Sequence, residues 1–119
     1  MPRLKWTKSV PNTMYLYYIT DPVNNKRVVK YGRTQHLDSK RRYVGKERKL
    51  YKMKLIKEWR GKLKNTTIAE NWWKSKATTN NLFYQFSNSK FHGATECIDI
   101  DDDKLQEMIK KTEKIINKP

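Results

Sequence analysis

The stretch MYLYYITDPVNNKRVVKYGRTQHLDSKRRY, residues 14–43, decides the fold. It begins with an alternating aromatic and aliphatic run, turns in a polar segment that contains Asn24-Asn25, and returns as a second apolar run that ends at Gly32. Asn tolerates the positive φ that tight turns require. The pattern therefore predicts a β-hairpin over residues 14–32, followed by a basic polar segment.

The faces of this hairpin follow from its turn. A two-residue turn at Asn24-Asn25 would place Tyr17 opposite Gly32 and Ile19 opposite Lys30, and directly paired residues share a face. One face then holds Tyr15, Tyr17, Ile19, Val28 and Lys30, and the other, which is the better core face, holds Leu16, Tyr18, Val29 and Tyr31. A longer loop would change this register.

Charge is the strongest signal in the composition. The 119 residues carry 27 Lys and Arg against 12 Asp and Glu, a net charge of +15. The excess is uneven, since residues 1–95 hold 22 basic and 5 acidic residues whereas residues 96–119 hold 5 and 7. Such a surface attracts polyanions, and nucleic acid is the expected partner. The alternative is a charged surface that serves solubility only.

Several classes of protein are disfavoured. The mean hydropathy is −1.01 and no long apolar run exists, so no membrane span is expected. The N-terminus lacks the apolar region of a signal peptide, and the single cysteine, Cys97, cannot form an internal disulfide. These features predict an intracellular protein that is not secreted.

The rest of the chain completes a single domain. Residues 1–13 are expected to form a basic N-terminal arm, and residues 14–119 the domain itself. Residues 50–59 alternate as a half-buried third strand, with Tyr51, Met53, Leu55 and Trp59 on one face. A turn is predicted at Arg60-Gly61-Lys62.

Three helices are predicted around the sheet. A short one runs from Asp38 or Ser39 to about Val44, with Gly45 as its end. A second starts with a capping box at Thr67 and Glu70 and places Ala69, Trp73 and Ala77 on one face. The third opens at Asp101-Asp102-Asp103, where negative charge suits the helix dipole, and its expected buried stripe is Leu105, Met108, Ile109, Thr112, Ile115 and Ile116.

The predicted fold is α+β, with a small, mainly antiparallel three-stranded sheet, flanking helices and a closing C-terminal helix. A core of this size fits a monomer or a homodimer.

Two short motifs carry a resemblance to a known family. Tyr15-Leu16-Tyr17 followed by Lys30-Tyr31-Gly32-Arg33-Thr34 resembles the GIY-YIG nuclease superfamily, and the chain looks closest to its phage and large-virus branch, whose second motif has the form Lys-Ile-Gly-Arg-Thr. The family's leading Gly is Tyr15 here, and its second-motif Tyr is Lys30. The resemblance implies a viral or phage endonuclease or nickase that hydrolyses phosphodiester bonds in DNA, with RNA as a possible substrate.

The resemblance also implies roles for individual residues. Glu96 would hold one Mg²⁺ or Mn²⁺ ion. Arg41 would clamp the scissile phosphate, although Arg42 matches the motif nearly as well. Tyr17 would orient or deprotonate the attacking water, and Lys30, which the predicted hairpin places on the same face, would stabilise the phenolate. The basic residues expected to bind nucleic acid are Arg33, Arg42, Lys46, Arg48, Lys49, Lys52 and Lys54.

Each of these residues also has a plainer interpretation. Tyr17 can pack in the sheet, and Lys30 and Glu96 can be solvated charges. His92 can be a proton carrier or a surface hydrogen-bonding group. Two further functions therefore stay open: a nucleic-acid-binding module that kept the fold and lost the chemistry, and a structural or host-interaction protein.

Overall fold

The hairpin forms the centre of the sheet. A computed structural model describes residues 11–35, 45–86 and 96–119. The hairpin strands are β1 (Pro11–Thr20) and β2 (Arg27–Thr34), and they are followed by α1 (Gly45–Leu50), β3 (Lys54–Lys62), α2 (Leu63–Thr79), β4 (Cys97–Ile98) and α3 (Asp102–Ile116). The four strands pair antiparallel in the order β3-β1-β2-β4. The predicted α+β class with a C-terminal helix is confirmed, and the two-residue β4 adds a fourth strand to the expected three.

The turn of the hairpin is longer than predicted. Asp21 and Lys26 close it through a backbone hydrogen bond of 2.8 Å, and Asn25 has a φ of 63°. Tyr17 therefore pairs with Lys30 and Tyr15 with Gly32, a shift of two residues from the predicted register. Because two residues are the repeat of a strand, the predicted division of side chains between the two faces is nevertheless correct.

Both faces of the sheet are covered. Leu16, Val29 and Tyr31 pack against α2 and α3 in the larger cluster, as the hairpin pattern predicted. On the opposite face, Tyr15, Tyr17, Ile19 and Val28 form a smaller cluster with Tyr51, Phe86 and Cys97.

The third strand differs from its prediction. It starts at Lys54, because residues Gly45–Leu50 form the helix α1. Lys52 follows that helix in the left-handed conformation, with a φ of 47°. Gly45 is thus the first residue of α1, and not the residue that terminates a helix. The pairing of β3 with β1 shifts by one residue between Leu16 and Tyr17, so Leu55 lies opposite Tyr17 whereas Trp59 lies opposite Met14. This bulge puts Leu55 and Trp59 on different faces, and the prediction of a shared face was wrong.

The second helix begins earlier than expected. Arg60, Gly61 and Lys62 belong to β3, and α2 follows immediately at Leu63. Thr67 therefore lies inside the helix, and the capping box and the preceding turn were both wrong. Ala69, Trp73 and Ala77, which were predicted to share a face of this helix, are fully buried.

The third helix follows its prediction closely. Asp101 is its N-cap, and the Asp101 carboxylate accepts a hydrogen bond of 2.7 Å from the Lys104 amide. All of the predicted stripe is buried except Ile115, which is half-buried. The indole N–H of Trp73 donates to the Thr112 hydroxyl at 2.7 Å and so joins α2 to α3 within the core.

Two boundary points remain. The first strand begins at Pro11, so residues 11–13, which were assigned to the N-terminal arm, are part of the sheet. Residues 1–10 of that arm and the helix predicted over residues 38–44 lie outside the described residues. Across the described ranges, no helix has the length and apolar character needed to cross a membrane.

Candidate functional site

Lys30 is the most unusual residue of the sheet. Its side chain is only 1% exposed, although a buried ammonium is costly unless it is paired. The Lys30 Nζ donates to the Tyr31 carbonyl at 3.2 Å and to the Glu96 carboxylate at 3.3 Å. The solvated-charge interpretation of Lys30 is therefore wrong, and the sheet holds a positive charge beneath its surface.

Glu96 owes its position to the short strand β4. Cys97 pairs with Lys30 and Ile98 with Val29, so the residue before β4 lies beside the outer edge of β2. The side chain of Glu96 is 36% exposed, so its carboxylate contacts the buried ammonium on one side and solvent on the other. Glu96 opens onto a cavity of about 340 Å³, here called the Glu96 groove, which is lined by Tyr31, Glu70, Asn71, Lys74, Phe83 and Glu96.

Two tyrosines lie on the same sheet face as Lys30. Tyr17 is its direct cross-strand partner, and Tyr15 pairs with Gly32 one step further along. The two rings meet edge to face with centroids 5.7 Å apart, and both side chains are buried. A Cβ on Gly32 would collide with the Tyr15 ring, at 2.6 Å from Cζ. The Tyr15 ring therefore requires a glycine at position 32.

The titration properties of neighbouring groups narrow the chemistry of the site. Burial, followed by the nearby Glu96 and Glu70 carboxylates, raises the pKa of Tyr31 well above its ordinary value. Burial raises the pKa of the Cys97 thiol to about 12, because it outweighs the opposing effect of the Lys30 charge. At neutral pH Tyr31 is a neutral phenol and Cys97 a neutral thiol, so neither is a nucleophile.

Glu70 belongs to the site in a role that the sequence did not suggest. It was assigned to a capping box, but its carboxylate binds the Arg33 guanidinium with an Nε to Oε1 distance of 3.2 Å. Glu70 is one of only five acids in residues 1–95, and this scarcity could have marked it as a candidate site residue. Tyr31, Asn71 and Lys74 were also missed, because their approach to Glu96 depends on how α2 packs on the sheet. Phe83 was missed because a bridge to Ile98 of β4 holds it there.

The predicted nucleic-acid contacts are divided between two places. Arg33, paired with Glu70, lies near the Glu96 groove. Lys46, Lys49, Lys52 and Lys54 are exposed along α1 and the start of β3, and Arg48 is half-buried there. The Tyr51 carbonyl accepts a hydrogen bond of 2.7 Å from the Thr20 amide, so this basic surface lies at the hairpin-turn end of β1. Arg41, Arg42 and His92 lie outside the described residues.

A single divalent ion fits these residues only if it keeps most of its water ligands. The described ranges contain no group of three or more His, Cys, Asp or Glu side chains that could enclose a metal. Mg²⁺ keeps most of its waters and needs as little as one carboxylate from the protein, which Glu96 offers where it lines the Glu96 groove. Lys30 already binds Oε1 of that carboxylate, so an ion at Glu96 would share the group with an ammonium.

Comparison of the chain with protein-family models, with curated proteins and with solved structures gave no match.

Proposed function

We propose that this protein is a metal-dependent endonuclease or nickase of the GIY-YIG type, acting on DNA. The observation that supports this most is the buried Lys30, which stands in the position of the family's second-motif Tyr, lies opposite Tyr17 and binds Glu96 at 3.3 Å. Three of the four residues with implied catalytic roles thus come together from β1, β2 and the start of β4. The net charge of +15 supports a polyanionic substrate.

Each residue has a chemical task in this proposal. Water attacks phosphorus and gives its proton to the Tyr17 phenolate, and the bond to the leaving oxygen breaks, with that oxygen taking a proton from solvent water. An ordinary phenol has a pKa near 10 and is a weak base at neutral pH, so its anion needs a nearby positive charge, which Lys30 supplies. Glu96 would hold the Mg²⁺ ion, whose chemistry is to offset the negative charge that develops on the phosphate. Arg41 or Arg42 would hold the phosphate itself.

A second function is favoured by one contact. Because the Lys30 ammonium binds the carboxylate that would have to hold the metal, the same geometry suits a nucleic-acid-binding module without catalysis. In that case Lys30 and Glu96 form a structural ion pair, and the basic surface alone binds DNA. Metal dependence of cleavage separates the two functions.

The test is a nicking assay on supercoiled plasmid with Mg²⁺, Mn²⁺ or EDTA. We expect metal-dependent nicking, lost by at least about 100-fold in Glu96→Gln, since removing one such electrostatic group costs that much in rate. Asp103→Asn is the matched control, because it makes the same acid-to-amide change at an exposed position of α3 that lines neither groove. Each variant is also checked for DNA binding and for its melting temperature.

The outcomes are distinct. If DNA binds but stays intact with every metal, with single-stranded and branched substrates included, the binding module becomes the better description. If Lys30→Met leaves both the nicking rate and its pH profile unchanged, the role given to the ammonium is wrong. Binding that hardly responds to salt would instead favour a structural or host-interaction protein.

A further inference from the structure

A second groove lies on the other flank of α2. Its volume is about 300 Å³, and it is lined by Trp72, Lys76, Lys104, Glu107, Met108 and Lys111. Successive helical residues turn by about 100°, so Trp72 and Glu70 lie about 200° apart around α2. This Trp72 groove is thus separate from the Glu96 groove, and the proposed cleavage chemistry makes no use of it.

The side chains of the Trp72 groove combine an aromatic surface with positive charge. Lys76 lies over the Trp72 ring with its Nζ 5.9 Å from the centroid. Lys104 and Lys111, which both line the groove, project from the same side of α3 because they are seven residues apart. Glu107 is the one acid in the lining, and its 3.9 Å contact with Lys104 is a weak surface pair.

The floor of the groove is held in place by the core. Trp73, the neighbour of Trp72, is fully buried and donates its indole N–H to Thr112 at 2.7 Å. The Thr112 hydroxyl in turn donates to the Met108 carbonyl at 2.7 Å. Because this chain of hydrogen bonds joins α2 to α3, the spacing between Trp72 and the lysines of α3 is set before any ligand binds.

We infer that the Trp72 groove binds an unpaired nucleotide segment of single-stranded nucleic acid, with a base stacked on Trp72 and phosphates bound by Lys76, Lys104 and Lys111. An aromatic platform with flanking cations is the arrangement by which proteins bind single strands without sequence preference. A duplex does not fit this arrangement, since its bases are stacked on each other and do not reach an indole. The inference does not depend on cleavage and applies equally to the binding module.

The experiment measures the fluorescence anisotropy of labelled dT12 and of a 12-base-pair hairpin duplex, with EDTA present to prevent cleavage. Trp72→Leu should weaken dT12 binding at least about fivefold and change duplex binding less than about twofold. Trp72→Phe keeps an aromatic face and should restore most of the affinity. A 12-unit abasic oligomer, which has phosphates but no bases, should bind wild type and Trp72→Leu equally.

The lysines have their own matched control. Lys104→Gln/Lys111→Gln should reduce the slope of log affinity for dT12 against log salt by about 1.4, which corresponds to two phosphate contacts with a single strand. Lys110→Gln/Lys114→Gln makes the same charge change at two exposed positions of α3 outside the groove, and it should leave that slope nearly unchanged. These exposed substitutions keep the test valid if Trp72→Leu fails to fold.

Three results would overturn the inference. Trp72→Leu could fold normally and bind dT12 as tightly as wild type. The two lysine pairs could change the salt slope equally, which would mean that only net charge matters. The duplex could lose as much affinity as dT12, which would mean that no unpaired base is bound. A parallel series with U12 shows whether RNA occupies the groove as well as DNA does.

Discussion

The ion pair between Lys30 and Glu96 predicts an asymmetry between its two partners. Lys30 is 1% exposed whereas Glu96 is 36% exposed, so nearly all of the desolvation falls on the ammonium. Replacing Lys30 by Met removes that cost together with the attraction. Replacing Glu96 by Ala removes the attraction and leaves the buried charge in place.

The magnitudes follow from the distance of 3.3 Å between Nζ and Oε1. At an effective dielectric constant of 20 this separation gives an attraction of about 5 kcal/mol, and solvent at the exposed Glu96 screens it further. Burying the ammonium costs several kcal/mol, so the two terms nearly cancel. Lys30→Met should therefore change the free energy of unfolding by less than about 1.5 kcal/mol, whereas Glu96→Ala should lower it by about 3 kcal/mol.

Urea denaturation followed by circular dichroism measures both values. The double variant Lys30→Met/Glu96→Ala should be close to wild type in stability, because neither charge is left unpaired. Glu107→Ala controls for the loss of an exposed acid and should change the free energy of unfolding by less than about 0.5 kcal/mol. The reasoning is refuted if Lys30→Met costs more than about 3 kcal/mol or if Glu96→Ala costs nothing.

Three further predictions concern other parts of the domain. Gly32→Ala should destabilise the protein by about 1–3 kcal/mol because the new methyl group meets the Tyr15 ring, whereas Gly45→Ala, whose Cβ meets an Arg48 atom no closer than 3.9 Å, should be neutral or slightly stabilising in the same thermal melts. With the pKa of Cys97 at about 12, roughly one thiol in ten thousand is ionised at pH 8, so a thiol reagent such as DTNB should label the native protein at least about 100-fold more slowly than the urea-unfolded chain; equal rates would contradict its burial. Hydrogen bonds from the Lys57 ammonium and then the Trp59 indole hold the pKa of Glu113 below its ordinary 4.5, so their contribution to stability is present above that pH and is lost as the pH falls through the lowered folded-state pKa. Glu113→Gln should accordingly be less stable than wild type at pH 7 and indistinguishable from it in strong acid, and a deficit that persists in acid would contradict this linkage.

Features that follow from the periodic spacing of apolar residues were predictable from the sequence. Features that depend on how strands pair with each other were not. The two faces of the hairpin followed from alternation, and the α3 stripe from helical spacing, because each depends only on local geometry. The turn length was not predictable, since Asn24-Asn25 resembles a two-residue turn but lies in a loop closed by Asp21 and Lys26. The period-two pattern before Trp59 failed for a similar reason, because it ran across both a helix end and a bulge.

The candidate site divides along the same line. Tyr17 and Lys30 were named from the two short motifs, and Glu96 from the family resemblance. The prediction that Tyr17 and Lys30 share a face holds because alternation survives a two-residue shift in register. Glu70 was misassigned because Thr67-Ile68-Ala69-Glu70 matches a capping pattern in isolation. In the structure β3 continues to Lys62 and α2 begins at Leu63, so Thr67 already lies inside the helix. Distances between side chains of different elements, such as Arg33 to Glu70, were out of reach of the sequence.

The irregular pairing of β3 bears on which changes in chain length this domain can absorb. Leu55 and Trp59 are four positions apart in the sequence, but their partners on β1, Tyr17 and Met14, are only three positions apart. The strand therefore contains one residue more than its ladder uses, and deleting one residue between Leu55 and Trp59 would straighten the pairing while both keep their partners. A one-residue deletion between Trp59 and Lys62 would instead put every following residue out of phase and shorten the link to α2. Within this strand, a one-residue deletion is therefore expected to be tolerated between residues 55 and 59 and not between Trp59 and Lys62.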